Sequence, residues 1–191
     1  MSRRERAVDD ATTRRQFLSG AAGVAGLLLA PCMVCAAPRP RGAAARAREL
    51  AFENLHTSER LEVAYCERGE YKAEALAHLD QLLRDHRTGE VHPIDPALFD
   101  LLHDVRAATG GGVFEVISGF RSAVTNQMLR AQSGGIAEQS LHLVGKAIDV
   151  RLRGVETERL RRAALRLARG GVGFYPGPDF VHLDTGRVRY W

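Results

Sequence analysis

The stretch Ser140-Leu-His-Leu-Val-Gly-Lys-Ala-Ile-Asp149 puts a histidine and an aspartate into a segment that otherwise reads as buried strand. His142 and Asp149 are seven residues apart, so a single straight strand would point them to opposite faces. Gly145 lies between them and lets the backbone turn, which places His142 before a bend and Asp149 within the strand that follows. Ala147 shares the face of Asp149, and its small side chain leaves room for an ion. A second apolar segment, Pro178-Asp-Phe-Val-His-Leu-Asp184, carries His182. If it runs beside 146–152, His182 faces Asp149 across the ladder. Asp179 falls at the turn entering that strand, where it can approach a metal-bound water from the side. Asp184 shares the His182 face.

Neutral imidazole and ionised carboxylate inside apolar strands cost free energy unless they are paired or bound to a cation. Zinc takes such nitrogen and oxygen ligands, and catalytic sites keep a fourth position for water. Each residue alone has a blander reading, as a hydrogen-bonded core histidine or a turn-forming aspartate. The joint pattern makes His142, Asp149 and His182 the candidate ligands. The other histidines read as structural: His78 and His103 on helices, His86 and His92 in a polar connection, His56 at a hairpin. Of these, His86 and His92 are the two placed to line a cleft.

Working outward, 50–56 and 60–65 alternate loosely and predict a hairpin. Lys72 to Arg84 carries Ala75, Leu76, Leu79, Leu82 and Leu83 at helical spacing. Asp95-Pro96 begins a second helix, with Asp95 as N-cap, Pro96 at the first position, and Ile94 set to pack on Phe99. Gly110 to Gly112 end it. Val113 to Ser118 reads as a strand, about Val124 to Gln132 as a short helix, and Lys146 to Leu152 as a strand. Glu156 to Arg169 reads as a helix with Gly170 at its C′ position. Phe180 to Asp184 and Arg187 to Trp191 are expected to form a C-terminal hairpin about Thr185-Gly186. Helices mixed with short hairpin strands predict an α+β fold, a small antiparallel sheet flanked by helices.

The N-terminus reads as a targeting segment. Arg14-Arg15-Gln16-Phe17-Leu18 precedes a Gly- and Ala-rich apolar run, the order of a twin-arginine export signal. No charge occurs from Gln16 to Pro38, a length that also allows an uncleaved anchor. Cleavage after Ala45, or less favourably after Ala37, leaves one domain, 46–191, behind a signal and linker, 1–45. Residues 1–45 hold seven arginines and three acids; removing them from the chain's 27 basic and 23 acidic residues leaves 20 of each. The basic excess thus belongs to the export segment, and charge argues for no nucleic-acid partner. Cys32 and Cys35 lie in that segment, so Cys66 alone remains and no internal disulfide is expected.

HExxH, P-loop, GxSxG and dinucleotide-binding motifs are all missing. What is present, S-x-H-x-x-G-x-A-x-D from Ser140 to Asp149 with D-x-x-H from Asp179 to His182, resembles the M15 metallopeptidases. "RDHRTGEVHPIDP" (84–96), "ISGFRS" (117–122), "GGVGFYP" (170–176) and "DFVHLDTGRVRYW" (179–191) are similar to its YcbK, or DUF882, branch. The likeness runs from Leu50 to Trp191. It implies a hedgehog/DD-peptidase-like fold and a Zn2+ peptidase acting on peptidoglycan in the periplasm. It also implies His142, Asp149 and His182 as zinc ligands, and Asp179, where many relatives carry glutamate, as general base and then acid. Arg121 would polarise the substrate carbonyl or hold a carboxylate, and Ser140 would bind substrate backbone. The leading expectation is a murein endopeptidase cutting cross-links. A D,D- or L,D-carboxypeptidase or dipeptidase on stem peptides is the nearest alternative, and a non-catalytic zinc domain binding wall peptides is the other.

Overall fold

A computed structural model of the chain describes residues 47–133 and 137–191. The expected export signal, with its expected cleavage site or anchor, lies outside them. Among the described residues no helix is long and apolar enough to cross a membrane.

The chain runs β1 (Arg48–Asn54), β2 (Arg60–Glu67), β3 (Glu70–Tyr71), α1 (Ala73–Leu82), α2 (Pro96–Thr109), β4 (Phe114–Ser118) and α3 (Ala123–Ser133). A single 3-10 turn (Leu141–Val144) follows, then β5 (Ala147–Leu152), α4 (Thr157–Leu167), β6 (Gly171–Tyr175), β7 (Phe180–Asp184) and β8 (Arg189–Tyr190). The fold is α+β as expected, with β1 and β2 forming the expected hairpin. The sheet is larger than expected and mixed: eight strands in the order β3-β2-β1-β4-β5-β7-β6-β8. Two pairs, β1 with β4 and β6 with β8, are parallel.

The C-terminal hairpin does not form. β7 is flanked by β5 and β6, and β8 pairs with the far edge of β6. The reason is β6 itself, which occupies the edge of β7 that β8 would have taken; its two glycines interrupt the strand pattern set by Val172, Phe174 and Tyr175. The cap of α4 also differs: the helix stops at Leu167, and Ala168, at φ 50°, takes the left-handed position assigned to Gly170.

Strand alternation gives the central strands two different faces. Ile148, Val150 and Leu152 of β5 and Val181 and Leu183 of β7 enter the core, where α1, α2 and α4 supply Leu79, Leu98, Phe99, Leu102, Val105 and Leu160. Ala147 and Asp149, and His182 and Asp184, occupy the opposite face. The start of α2 braces that face. Asp95 caps the helix by accepting from the Ala97 N–H at 3.0 Å, and Pro96 sits in the first turn. The Asp95 N–H donates to the Gly145 carbonyl, and the Thr185 hydroxyl donates to the second Asp95 oxygen at 2.9 Å. One cap therefore ties together the turn before β5 and the end of β7.

Candidate metal centre

His142 stands in the 3-10 turn, whose N-cap is Ser140; the Ser140 hydroxyl accepts from the His142 N–H at 3.4 Å. Gly145 ends the turn at φ 65°, the left-handed region that glycine reaches without strain. A Cβ there would also run into the Pro93 carbonyl. The chain can then reverse into β5 with Asp149 on the site face. Asp149 and His182 are direct partners in the antiparallel β5–β7 ladder.

Three ligand atoms meet. His182 Nδ1 lies 2.8 Å from Asp149 Oδ1, His142 Nε2 lies 3.3 Å from the same oxygen, and the two nitrogens are 3.2 Å apart. All three residues are buried, and together they form a group able to hold one metal ion. The atoms pointing away from the cluster are each engaged. His142 Nδ1 bonds the Gly119 carbonyl at 2.7 Å, which places its proton there and leaves Nε2 as a lone pair. His182 Nε2 bonds Asp184 Oδ2 at 3.0 Å, and Asp149 Oδ2 accepts from Arg121 at 3.3 Å. Such outer partners fix tautomer and ring orientation in metal sites. Two lone pairs and a carboxylate oxygen aimed at one point fit a cation and repel one another without a proton or an ion between them.

Burial lowers the pKa of His142 and favours its neutral, ligating form. Burial pushes the Asp149 carboxyl up, but the His142 and His182 imidazoles outweigh it and hold the group well below the usual carboxylate range. For His182 burial acts downward, while bonds to Asp149 and Asp184 raise the pKa overall. Of the two imidazoles, His182 is the more basic.

The cluster floors an open cavity of about 620 Å³, whose walls include Arg121, Gln139, Ser140, Tyr175, Phe180, Arg189 and Trp191. Arg121 is 8% exposed, shares its Nη2 between Ser118 and Asp149, and keeps its buried Nε without a hydrogen-bond partner. Ser140 is half-buried at the rim. Asp179 is not brought to the cluster. Its residue has φ 56°, and its carboxylate bonds the Thr157 hydroxyl and lies 3.6 Å from Arg151 Nε, beside a separate surface cavity. The left-handed turn entering β7 sends the side chain toward the start of α4. Asp149 is the only carboxylate side chain on the walls of this cavity among the described residues. His86 stacks on His56 at 3.8 Å and His92 on Phe120 at 4.7 Å, and neither lines this cavity.

Several contributors escape a reading of the sequence. The Gly119 carbonyl and the Ser118 hydroxyl are invisible to side-chain patterns, although "ISGFRS" marks the turn that presents them. Asp184, fully buried beneath His182, is legible only through its position two residues on. Tyr175, Arg189 and Trp191 depend on β6 lying between β7 and β8.

A buried His-Asp-His cluster opening on a cleft, on this α+β sheet, defines a metallopeptidase class of site. The chain belongs to the M15 peptidases: the Peptidase_M15_2 profile, described as peptidoglycan L,D-endopeptidase MepK, matches residues 42–191. The chain is 40% identical over 183 residues to the probable peptidoglycan L,D-endopeptidase MepK of Haemophilus influenzae, covering 93% of this chain and 95% of that one. It is 39% identical over 185 residues to the peptidoglycan L,D-endopeptidase MepK of Escherichia coli K12, covering 95% and 98%.

Proposed function

We propose that the protein is a zinc-dependent peptidoglycan endopeptidase that hydrolyses an amide bond between an L- and a D-configured centre in wall cross-links. The convergence of His142 Nε2, Asp149 Oδ1 and His182 Nδ1 on the floor of an open cavity carries this reading. Ligand type favours zinc, which when bound there would supply an acidified water and a Lewis acid for the scissile carbonyl. The chain's own groups orient this centre and the substrate. Gly119 and Asp184 hold the two imidazoles with lone pairs inward, and Arg121 orients Asp149. Arg121, on the cavity wall, is the cationic donor nearest an oxyanion forming in the cleft; losing one such donor typically costs ~10²–10³ in rate. Ser140 and Gln139, at the cavity wall, offer hydrogen bonds to substrate backbone. Asp179, bonded to Thr157 and beside Arg151, is assigned in this reading to the turn. Export by the twin-arginine route to the periplasm agrees with a substrate outside the cytoplasm.

Incubation of the purified, zinc-loaded chain with purified sacculi, followed by chromatography of released muropeptides, tests the reading. Loss of cross-linked dimers supports it. Intact cross-links with shortened stems would assign a carboxypeptidase instead, and no product at all would assign a wall-binding domain.

A further inference from the structure

Polar side chains, Arg121, Gln139 and Ser140, line the cavity together with a connected aromatic wall of Tyr175, Phe180 and Trp191. Trp191 is 48% exposed, yet it is held from several sides. Its Nε1–H donates to the Tyr175 hydroxyl at 2.9 Å, and the Arg189 guanidinium lies over its ring at 5.0 Å. The indole lies against the backbone of Gly173, where a Cβ would come within 2.7 Å of Cε2. Its backbone is fixed too, with Trp191 N–H donating to Val172 and its carbonyl accepting from Phe174. Tyr175 in turn stacks on Phe180 at 4.6 Å. A large aromatic surface that is half open to solvent and held this firmly has already lost the rotamer freedom that binding would otherwise cost it. Burial in the core does not explain its position.

The wall stands beside the reacting centre. The Trp191 ring centroid is 5.2 Å from that of His182. We propose that Trp191 is a substrate-binding residue, the surface against which the aliphatic arm of the cross-linking diamino acid packs. This rests on the endopeptidase reading above. Two features select that ligand. Arg189 is engaged in a two-pronged bond with Asp184, at 3.0 and 2.7 Å, so the wall presents carbon and π-face rather than a free charge. The second is proximity: a wall one ring from the candidate ligand His182 first meets the group next to the scissile bond. Methylene chains and peptide planes pack well on indole faces, and tryptophan is enriched among residues that dominate binding.

The test uses the zinc-loaded full-length chain and a soluble cross-linked muropeptide dimer. Trp191→Ala is expected to raise KM roughly tenfold and leave kcat within about twofold, with zinc content unchanged, and Trp191→Phe to recover most of the loss. An unchanged KM, or loss of zinc without a change in KM, overturns the proposal, the latter making the indole a support for His182. Because Trp191 is the only tryptophan of the chain, its fluorescence reports the wall without turnover. In metal-free protein the dimer should shield it from acrylamide quenching, and equal quenching with and without dimer overturns the proposal. Shielding without hydrolysis of sacculi would sink the endopeptidase reading but keep the wall. Hydrolysis without shielding, and with KM unchanged in Trp191→Ala, would do the reverse.

Discussion

Asp149 and His182 stand directly opposite each other in the β5–β7 ladder, with Oδ1 and Nδ1 2.8 Å apart. The register of two neighbouring strands thus sets the separation of two of the three candidate ligands. The third, His142, reaches the same point only because the Gly145 turn reverses the chain.

Replacing any of the three tests the centre. His142→Ala, Asp149→Ala and His182→Ala should each abolish stoichiometric zinc, read by elemental analysis. Each should lower muropeptide release by more than the ~10–100-fold typical of losing an outer-shell partner. Metal binding must also displace a proton from His182, whose pKa is raised. A raised value means the ring holds its proton to higher pH, so zinc affinity should begin to fall above about pH 6.5 as the solution is acidified. Competition with a chelator between about pH 8 and 6 reads this, and a flat profile would count against His182 Nδ1 as a ligand.

Asp184 is fully buried and receives the Gly171 and Gly186 N–H groups, Arg189 and His182 Nε2. Burial pushes its carboxyl up, but His182 and Arg189 outweigh it and keep the group ionised. Asp184→Asn preserves shape while removing the charge that steadies the imidazole. Zinc affinity should fall about 10–100-fold with the fold intact by circular dichroism. Unaltered affinity would show that strand geometry alone orients His182.

Asp179 is the expected general base that the fold does not bring to the cluster. Its carboxylate is tied to Thr157 and Arg151, away from the cluster. Asp179→Ala should therefore keep its zinc and lose less than the ~10²-fold expected of a removed general base. Full loss of turnover with zinc retained would mean that the 176–179 turn re-aims the carboxylate when substrate binds.

Asp85 links the segment after α1 to the turn that carries Arg121. It is 1% exposed and accepts from the Ser122 and Arg87 N–H groups, both at 2.9 Å. Burial pushes its carboxyl up, but hydrogen bonds from Thr125, Ser122 and Arg87 outweigh it and hold the group below the usual range. A depressed folded-state pKa contributes stability above the unfolded value, about 3.9, and that contribution is lost as pH falls below it. Asp85→Asn should destabilise by ~1–3 kcal/mol near neutrality, with the difference from wild type shrinking in acid. Denaturant midpoints at pH 7 and pH 3 check this, and a gap that stays constant would refute it.

By itself the sequence determined the local elements and the ligand candidates. The spacing of Leu79, Leu82 and Leu83, the Asp95-Pro96 start of α2, and the apolar strands around Asp149 and His182 are nearest-neighbour chemistry, written in consecutive residues. The candidate trio was legible because polar groups inside apolar strands need a reason to be there. Only the tertiary structure decided strand order, which depends on hydrogen bonds between segments far apart in the chain. It put the glycine-bearing β6 between β7 and β8, brought Tyr175, Arg189 and Trp191 to the cavity wall, and slid Asp184 beneath His182. It also turned Asp179 away, because a single left-handed residue at a strand entrance redirects a side chain in a manner that residue spacing does not encode.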